Sequence, residues 1–154
     1  MKKDSTADLT AYGIALLRIV VGVVFVAHGV QKLFVYGHPA IAGMLGQIGI
    51  PFPAVSAWLI ALTEFLGGAA LLFGLFTRWA AAPLSFAMLV AILTVHLKAG
   101  FFAPAGFEYP LTMLAANLAL ILTGAGAFAL DNLRAGSNAE ITEVRGNRQL
   151  ARSA

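Results

Sequence analysis

No cysteine occurs among the 154 residues. That absence excludes a disulfide framework, a thiol redox centre and cysteine-ligated metals in this chain, and leaves redox chemistry to a bound cofactor or a partner. Charge is nearly as scarce: charged residues are 11% of the chain and hydrophobic ones 60%, against about 25% charged in ordinary soluble domains. So few charges cannot cover a surface that faces water, so lipid must be the solvent. Nucleotide-binding loops, nucleophile elbows and zinc-protease helices are also absent. The net charge of +3 comes largely from termini and loops. It bears on topology and lipid contact, and no nucleic-acid partner is expected.

What is present is a series of long apolar runs. The length holds about four spans of ~20 residues with short loops, hence one membrane domain, 11–130. Residues 1–10 are a polar N-terminus carrying Lys2 and Lys3. Segment one, 11–34, is too long for a signal-peptide core, holds Arg18 and His28, and ends in no small-x-small cleavage site, so it is read as a retained helix. Residues 35–55 hold Gly37, Pro39, Gly43, Gly46, Gly49, Pro51 and Pro53 and form no span. Within them Ile41, Met44, Leu45 and Ile48 follow helical spacing, which predicts a short amphipathic helix in the interface. Segment two is 56–76, followed by a turn at Thr77-Arg78. Segment three is 79–97, with Pro83 near its start, where proline is tolerated. A loop at 98–107 carries Phe101, Phe102 and Phe107, suited to the headgroup region. Segment four is 108–130, with Pro110 near its first position. Residues 131–154 are a polar tail with Arg134, Arg145, Arg148 and Arg152.

The predicted fold is all-α: an antiparallel four-helix transmembrane bundle with a short interfacial helix after the first span. Lys2, Lys3, Arg78 and the tail arginines then lie on one side, against Lys32 and Lys98 on the other. The positive-inside rule puts both termini in the cytoplasm.

Glu64 is the only ionisable residue in 56–76. Such a side chain at membrane depth costs roughly 2.5–3.5 kcal/mol, so it rarely sits there without a partner or a task. Alternating span directions and a helical rise of ~1.5 Å per residue bring His28, Lys32, Glu64, His96 and Glu108 to the outer half of the bundle. Arg18 falls in the inner half and Asn117 nearer mid-depth. By helical phase Arg18, Gly22, Phe25, Gly29 and Lys32 form one stripe, with His28 at its edge, and Glu64, Gly67, Gly68, Leu71 and Leu75 another. Ser85, Leu89, Ile92 and His96 form a third; Asn117, Gly124 and Asp131 share a face of segment four. Glycines on the polar stripes fit close helix contacts. Glu108 lies opposite Asn117 in phase.

Each polar residue has a structural and a chemical reading. Arg18 is either an ion-pair or interface residue or a ligand for an anion or cofactor. Glu64 either pairs with Arg18, His28 or Lys32 or exchanges a proton. His28 and His96 either bond carbonyls near the headgroups or bind a quinone carbonyl. Two outer histidines are necessary for haem but far from sufficient, so haem is disfavoured. A metal site from His28, Glu64 and His96 lacks the Glu-x-x-His pairs of di-metal bundles, and no metal is expected.

Several stretches together resemble the DoxX family of small bacterial inner-membrane proteins. They are Leu17-Arg18-Ile19 with Gly22, then His28-Gly29-Val30-Gln31-Lys32-Leu33, then Glu64-Phe65-Leu66-Gly67-Gly68 with Leu72-Phe73-Gly74-Leu75 and Thr77-Arg78. His96, Glu108-Tyr109, Gly124-Ala125-Gly126-Ala127 and Leu130-Asp131 complete them. The likeness covers about residues 12–132. It implies a four-helix protein of the bacterial inner membrane associated with redox metabolism: thiosulfate:quinone oxidation, oxidative-stress complexes or the handling of catechols and quinones. The missing cysteines argue against any relative that works through a thiol pair.

The resulting expectation is a membrane subunit of an oxidoreductase holding a quinone-like molecule in the outer half of the bundle. Glu64 would exchange a proton, His28 and His96 would hydrogen-bond the head group, Arg18 would orient the site, and Lys32 and Asn117 would complete the ligand-binding set. The lipid bilayer and a redox partner protein, or a second copy of the chain, are the expected partners, since no electron carrier is evident in the sequence. A non-catalytic scaffold and a small proton-coupled carrier using Glu64 are the alternatives.

Overall fold

The computed structural model describes residues 5–133, all-helical with no strand among the described residues. Helix α1 (Ser5–Val30) runs on into a π-helical stretch, Gln31–Tyr36. Helices α2 (His38–Gln47) and α3 (Pro53–Phe73) follow. Helix α4 (Thr77–Ala91) continues through π-helical Ile92–His96 and a 3-10 turn, Leu97–Ala99. Helix α5 is Glu108–Thr123. Three rods are long and apolar enough to cross a membrane: Thr6–Tyr36, Pro53–Phe73 and Thr77–Ala99. Large apolar side chains such as Leu16, Val23, Leu59, Leu66 and Phe86 point outward, a surface that water does not tolerate at this extent. The protein is a membrane protein.

The helix ends follow local chemistry. Phe52, in the left-handed region at φ 49°, turns the chain into Pro53, the first residue of α3, where a missing N–H costs nothing. At the other end Gly74 takes φ 66°, with its N–H on the Leu71 carbonyl at 3.0 Å and the Leu75 N–H on that of Ala70 at 2.8 Å, a glycine-closed helix terminus. Helix α4 is capped from far along the chain. The Asp131 carboxylate accepts from the Phe76 N–H (2.7 Å), the Thr77 N–H (3.0 Å) and the Thr77 hydroxyl (3.2 Å).

Helix α1 packs along α3, α4 along α5, and α2 against α3. The α1–α3 crossing is a backbone-to-backbone contact. A Cβ on Gly29 would lie 2.6 Å from the Phe65 nitrogen, one on Gly22 2.7 Å from the Leu72 nitrogen, and one on Gly68 2.7 Å from the Val26 nitrogen. Close approach of this kind lets dispersion hold helices together where lipid removes the hydrophobic drive. The main core joins Val21 and Phe25 to Leu71, Leu84, Met88, Met113 and Leu120. A smaller cluster seats Ile41 and Leu45 of α2 on Ala57.

Two expectations need correction. Segment four does not continue to residue 130: α5 stops at Thr123, because Gly124 (φ 87°) and Gly126 (φ 67°) leave the helical region. Asn117, Gly124 and Asp131 therefore share no helical face. At 16 residues α5 is about 24 Å long, short of a ~30 Å hydrocarbon layer. On α4 the buried face is Thr77, Ala81, Leu84, Ser85 and Met88; of the stripe expected through Ser85, Leu89, Ile92 and His96, Ser85 and Ile92 are buried and Leu89 is exposed. The short helix after the first span does form, with Ile41 and Leu45 inward and Met44 and Ile48 outward. Lys2, Lys3 and the four tail arginines, on which the charge asymmetry rests, lie outside the described residues.

Candidate functional site

Glu64 lies on the face of α3 that also carries Ala57, Ala61, Gly68 and Leu71, all buried. Gly29 and Gly68 bring α1 within reach of that face. Lys32, in the π-helical stretch that extends α1, donates from Nζ to Glu64 Oε2 and forms an ion pair. The Glu64 side chain is only 3% exposed and that of Lys32 16%. At this burial each charge needs the other: an unpaired one would lose several kcal/mol of hydration. An ammonium has three N–H donors, and Glu64 is the one partner Lys32 has among the described residues.

His28 stands one turn before Lys32 on α1. Its Nε2 is 3.2 Å from the Tyr109 hydroxyl, and the two rings lie 5.9 Å apart at 31°. Which group donates depends on the imidazole tautomer. Three helices thus contribute to one cluster: His28 and Lys32 from α1 and its extension, Glu64 from α3 and Tyr109 from α5.

A cavity of about 40 Å³ flanks the ion pair, lined by Lys32, Leu33, His38, Ile41, Trp58 and neighbours. It is about the size of one water molecule. His38 stacks on Trp58 at 4.9 Å and 23° and lies 2.8 Å by Nε2 from the Ala54 carbonyl, tying α2 to α3. A larger apolar cavity of about 450 Å³ lies between α3 and α4 beneath the α2–α3 connection. Leu45, Leu59, Ile60, Thr63, Pro83 and Phe86 line it, and none of the cluster residues does. Size alone would favour it, but the charged side chain, Lys32, lines the smaller one.

The remaining candidates lie elsewhere. His96 Nδ1 is 2.7 Å from the Ala105 carbonyl, and Glu108 Oε1 accepts from the Ala103 N–H at 2.7 Å. Both pin the 100–107 loop, in which Phe101 meets Phe102 and Phe107 edge to face at 5.3 Å. Arg18 is fully buried, and its guanidinium donates to five carbonyls: Leu71 and Leu72 at the end of α3, and Ala125, Ala127 and Phe128 beyond α5. A guanidinium has five N–H donors, so this set occupies all of them. Arg18 precedes Lys32 by fourteen residues, about 21 Å along the helix. Asn117 is buried on α5; its amide N–H₂ donates to the Met113 carbonyl at 2.8 Å, and its Oδ1 has no partner among the described residues. No group of three or more histidine or acidic side chains among the described residues is placed to hold a metal ion.

Sequence reasoning missed Tyr109 and His38. Tyr109 follows Glu108 at the outer start of segment four, at the depth of His28, so topology alone could have found it. His38 sits in the glycine- and proline-rich stretch read as connection, and nothing in its neighbours pointed to Trp58.

The DoxX family model matches residues 13–97. A Bacillus subtilis (strain 168) protein named "Putative oxidoreductase CatD" is 38% identical over 119 residues, 77% of this chain and 84% of its own. An uncharacterized membrane protein of Mycobacterium tuberculosis is 36% identical over 126 residues, 75% and 77% of the two chains. The inner membrane protein YqjF of Escherichia coli (strain K12) is 32% identical over 123 residues, 79% and 91%. No solved structure matches the chain.

Proposed function

The chain belongs to the DoxX family, and from that premise we propose that it is the membrane subunit of a quinone-linked redox system, with a quinone-like molecule held beside Glu64. The observation that carries this reading is the buried Lys32–Glu64 ion pair with the His28–Tyr109 hydrogen bond next to it. Ionisable groups inside a membrane domain mark substrate paths and proton relays by default. The donor set suits a quinone oxygen, and since the cavity at Lys32 has room for about one water molecule, the ring needs the side chains around it to move aside. Lys32 has N–H donors that Glu64 does not use, and His28 and Tyr109 can each give or take a hydrogen bond, as a ring carbonyl or phenolic oxygen needs.

When bound, a quinone accepts two protons along with two electrons. Glu64, ionised in the pair, would take protons from water one at a time and pass each on from its carboxylate, Lys32 would hold the charge balance, and His28 would bond the head group. His96 and Asn117, bonded to the Ala105 and Met113 carbonyls, take no part at the head group, and Arg18 sets the geometry of α1 against α3. A partner protein delivers the electrons; the name given to the Bacillus subtilis relative supports a redox role. Helix α5 with its flanking residues forms the fourth span of an antiparallel bundle. Both termini are cytoplasmic and the membrane is the bacterial inner one, consistent with the name of YqjF.

The test is purification in mild detergent followed by extraction and mass spectrometry. A near-stoichiometric quinone, lost in Glu64→Gln and His28→Ala while helix content is kept, is the expected result. An extract without quinone, or one that both variants leave unchanged, overturns the reading. One observation favours a scaffold as the second reading. Every Arg18 donor is spent on main-chain carbonyls, so part of the polar interior serves assembly alone.

A further inference from the structure

We infer that Tyr109 is a positioning residue of this site: its hydroxyl sets the tautomer and orientation of His28 beside the Lys32–Glu64 pair. The inference rests on the proposed site, and it moves the second hydrogen-bonding role from His96 to a phenol. His96 is the residue the topology brings to the same depth, but its Nδ1 is held by the Ala105 carbonyl. Tyr109 is the side chain that reaches His28.

The geometry gives Tyr109 its leverage. The 3.2 Å contact is to Nε2. If the phenol donates, the imidazole proton is on Nδ1; if Nε2–H donates, the phenol proton is free to turn toward a ligand oxygen. One hydrogen bond thus decides which of two groups next to Glu64 can give up a proton. Tyr109 is also anchored. It follows Glu108, whose carboxylate takes the Ala103 N–H, and precedes Pro110, which is buried. A residue fixed on both sides can hold a partner ring in one orientation. The groups facing His28 are Lys32 on its own rod, Glu64 on α3 and Tyr109 on α5; Glu108 and His96, at the outer ends of α5 and α4, are turned to the loop backbone.

Two readouts test this on the full chain in detergent. The first is ¹⁵N NMR of histidine-labelled protein across pH, with His28 assigned by loss of its signal in His28→Gln. Tyr109→Phe keeps the ring and removes the hydroxyl. It should change the His28 tautomer ratio and move its titration midpoint by about half to one pH unit, the size one hydrogen bond gives when it separates two protonation states. The second is the pH profile of duroquinone binding, which should move with the His28 midpoint in the same variant. Glu108→Ala, which loosens one anchor of Tyr109 and leaves the phenol, should move either midpoint by clearly less than Tyr109→Phe does.

An unchanged His28 signal in Tyr109→Phe overturns the inference. So does a duroquinone profile that stays put while the unaltered protein binds. If the unaltered protein binds no duroquinone at any pH, the quinone reading falls, and the NMR result alone decides whether Tyr109 orients His28. A shift of equal size in Glu108→Ala would assign the effect to the loop and overturn the role of the hydroxyl.

Discussion

Replacing Arg18 with alanine should cost the fold more than any other single polar substitution in α1. The guanidinium is fully buried and bonds five carbonyls at 2.6–3.2 Å, on two chain segments that lie 53 to 110 residues away in sequence. Side-chain hydrogen bonds within membrane proteins average about 0.6 kcal/mol and reach about 1.7. Five bonds at the average give about 3 kcal/mol. The donor is charged and its removal leaves a void, which raises the loss to about 3–5 kcal/mol. One carbonyl is partly protected, since Leu71 also accepts the Gly74 N–H at 3.0 Å. Arg18→Lys should recover part of this, to a loss of about 2 kcal/mol: a single ammonium cannot reach both the end of α3 and the 125–128 segment as a planar fork does. Unfolding by SDS, followed by circular dichroism without added ligand, gives the free energies; the thermal midpoint of Arg18→Ala should fall by on the order of 10 °C. An Arg18→Ala protein within about 1 kcal/mol of the parent would refute the reasoning, and so would Arg18→Lys being as damaging as alanine.

The Lys32–Glu64 pair should behave as a unit. Glu64→Gln or Lys32→Met alone should destabilise by about 3–5 kcal/mol by stranding one buried charge, and the double variant should recover most of it; additive losses in SDS unfolding would argue against the pair. Gly29→Leu and Gly68→Leu should abolish a stable fold, because even a Cβ would meet backbone or Cβ atoms of the partner helix at 2.6–2.8 Å; a monodisperse protein with native helix content would contradict the crossing. Asn117→Leu should leave stability unchanged or raise it by about 1 kcal/mol, since it removes a buried acceptor that has no partner among the described residues; a clear loss in the same assay would show that Oδ1 is bonded in solution.

How much was legible depended on the kind of interaction. Hydropathy placed the first three spans within a few residues, because burial in lipid is a property of composition over ~20 residues. Phase placed Arg18, Gly22, Phe25 and Gly29 on the buried face of α1, because polar groups and small residues at helical spacing have nowhere else to go. On α4 it held for Ser85 and Ile92, both buried, and failed for Leu89, which faces outward just before the chain widens into a π-helix. It failed on α5, where positive φ at Gly124 and Gly126 ended the helix early. In the site, that Glu64 would be paired was an open alternative; that the partner is Lys32 required the closeness of α1 and α3.

Composition by itself determined that this chain lives in lipid, that it is helical, and that it carries no thiol chemistry. A polypeptide this apolar must bond its own backbone within each segment, and helices do that locally. The tertiary structure decided which polar residues meet. Arg18, His28, Lys32, Glu64, His96 and Asn117 look alike in sequence, as ionisable or amide groups set in apolar runs. Asn117 bonds the carbonyl one turn back on its own helix; the partners of the others are carbonyls and side chains brought together by helix crossings, loop closure and the early end of α5. Those contacts span up to 110 residues and depend on distances of a few tenths of an ångström, which no local pattern encodes.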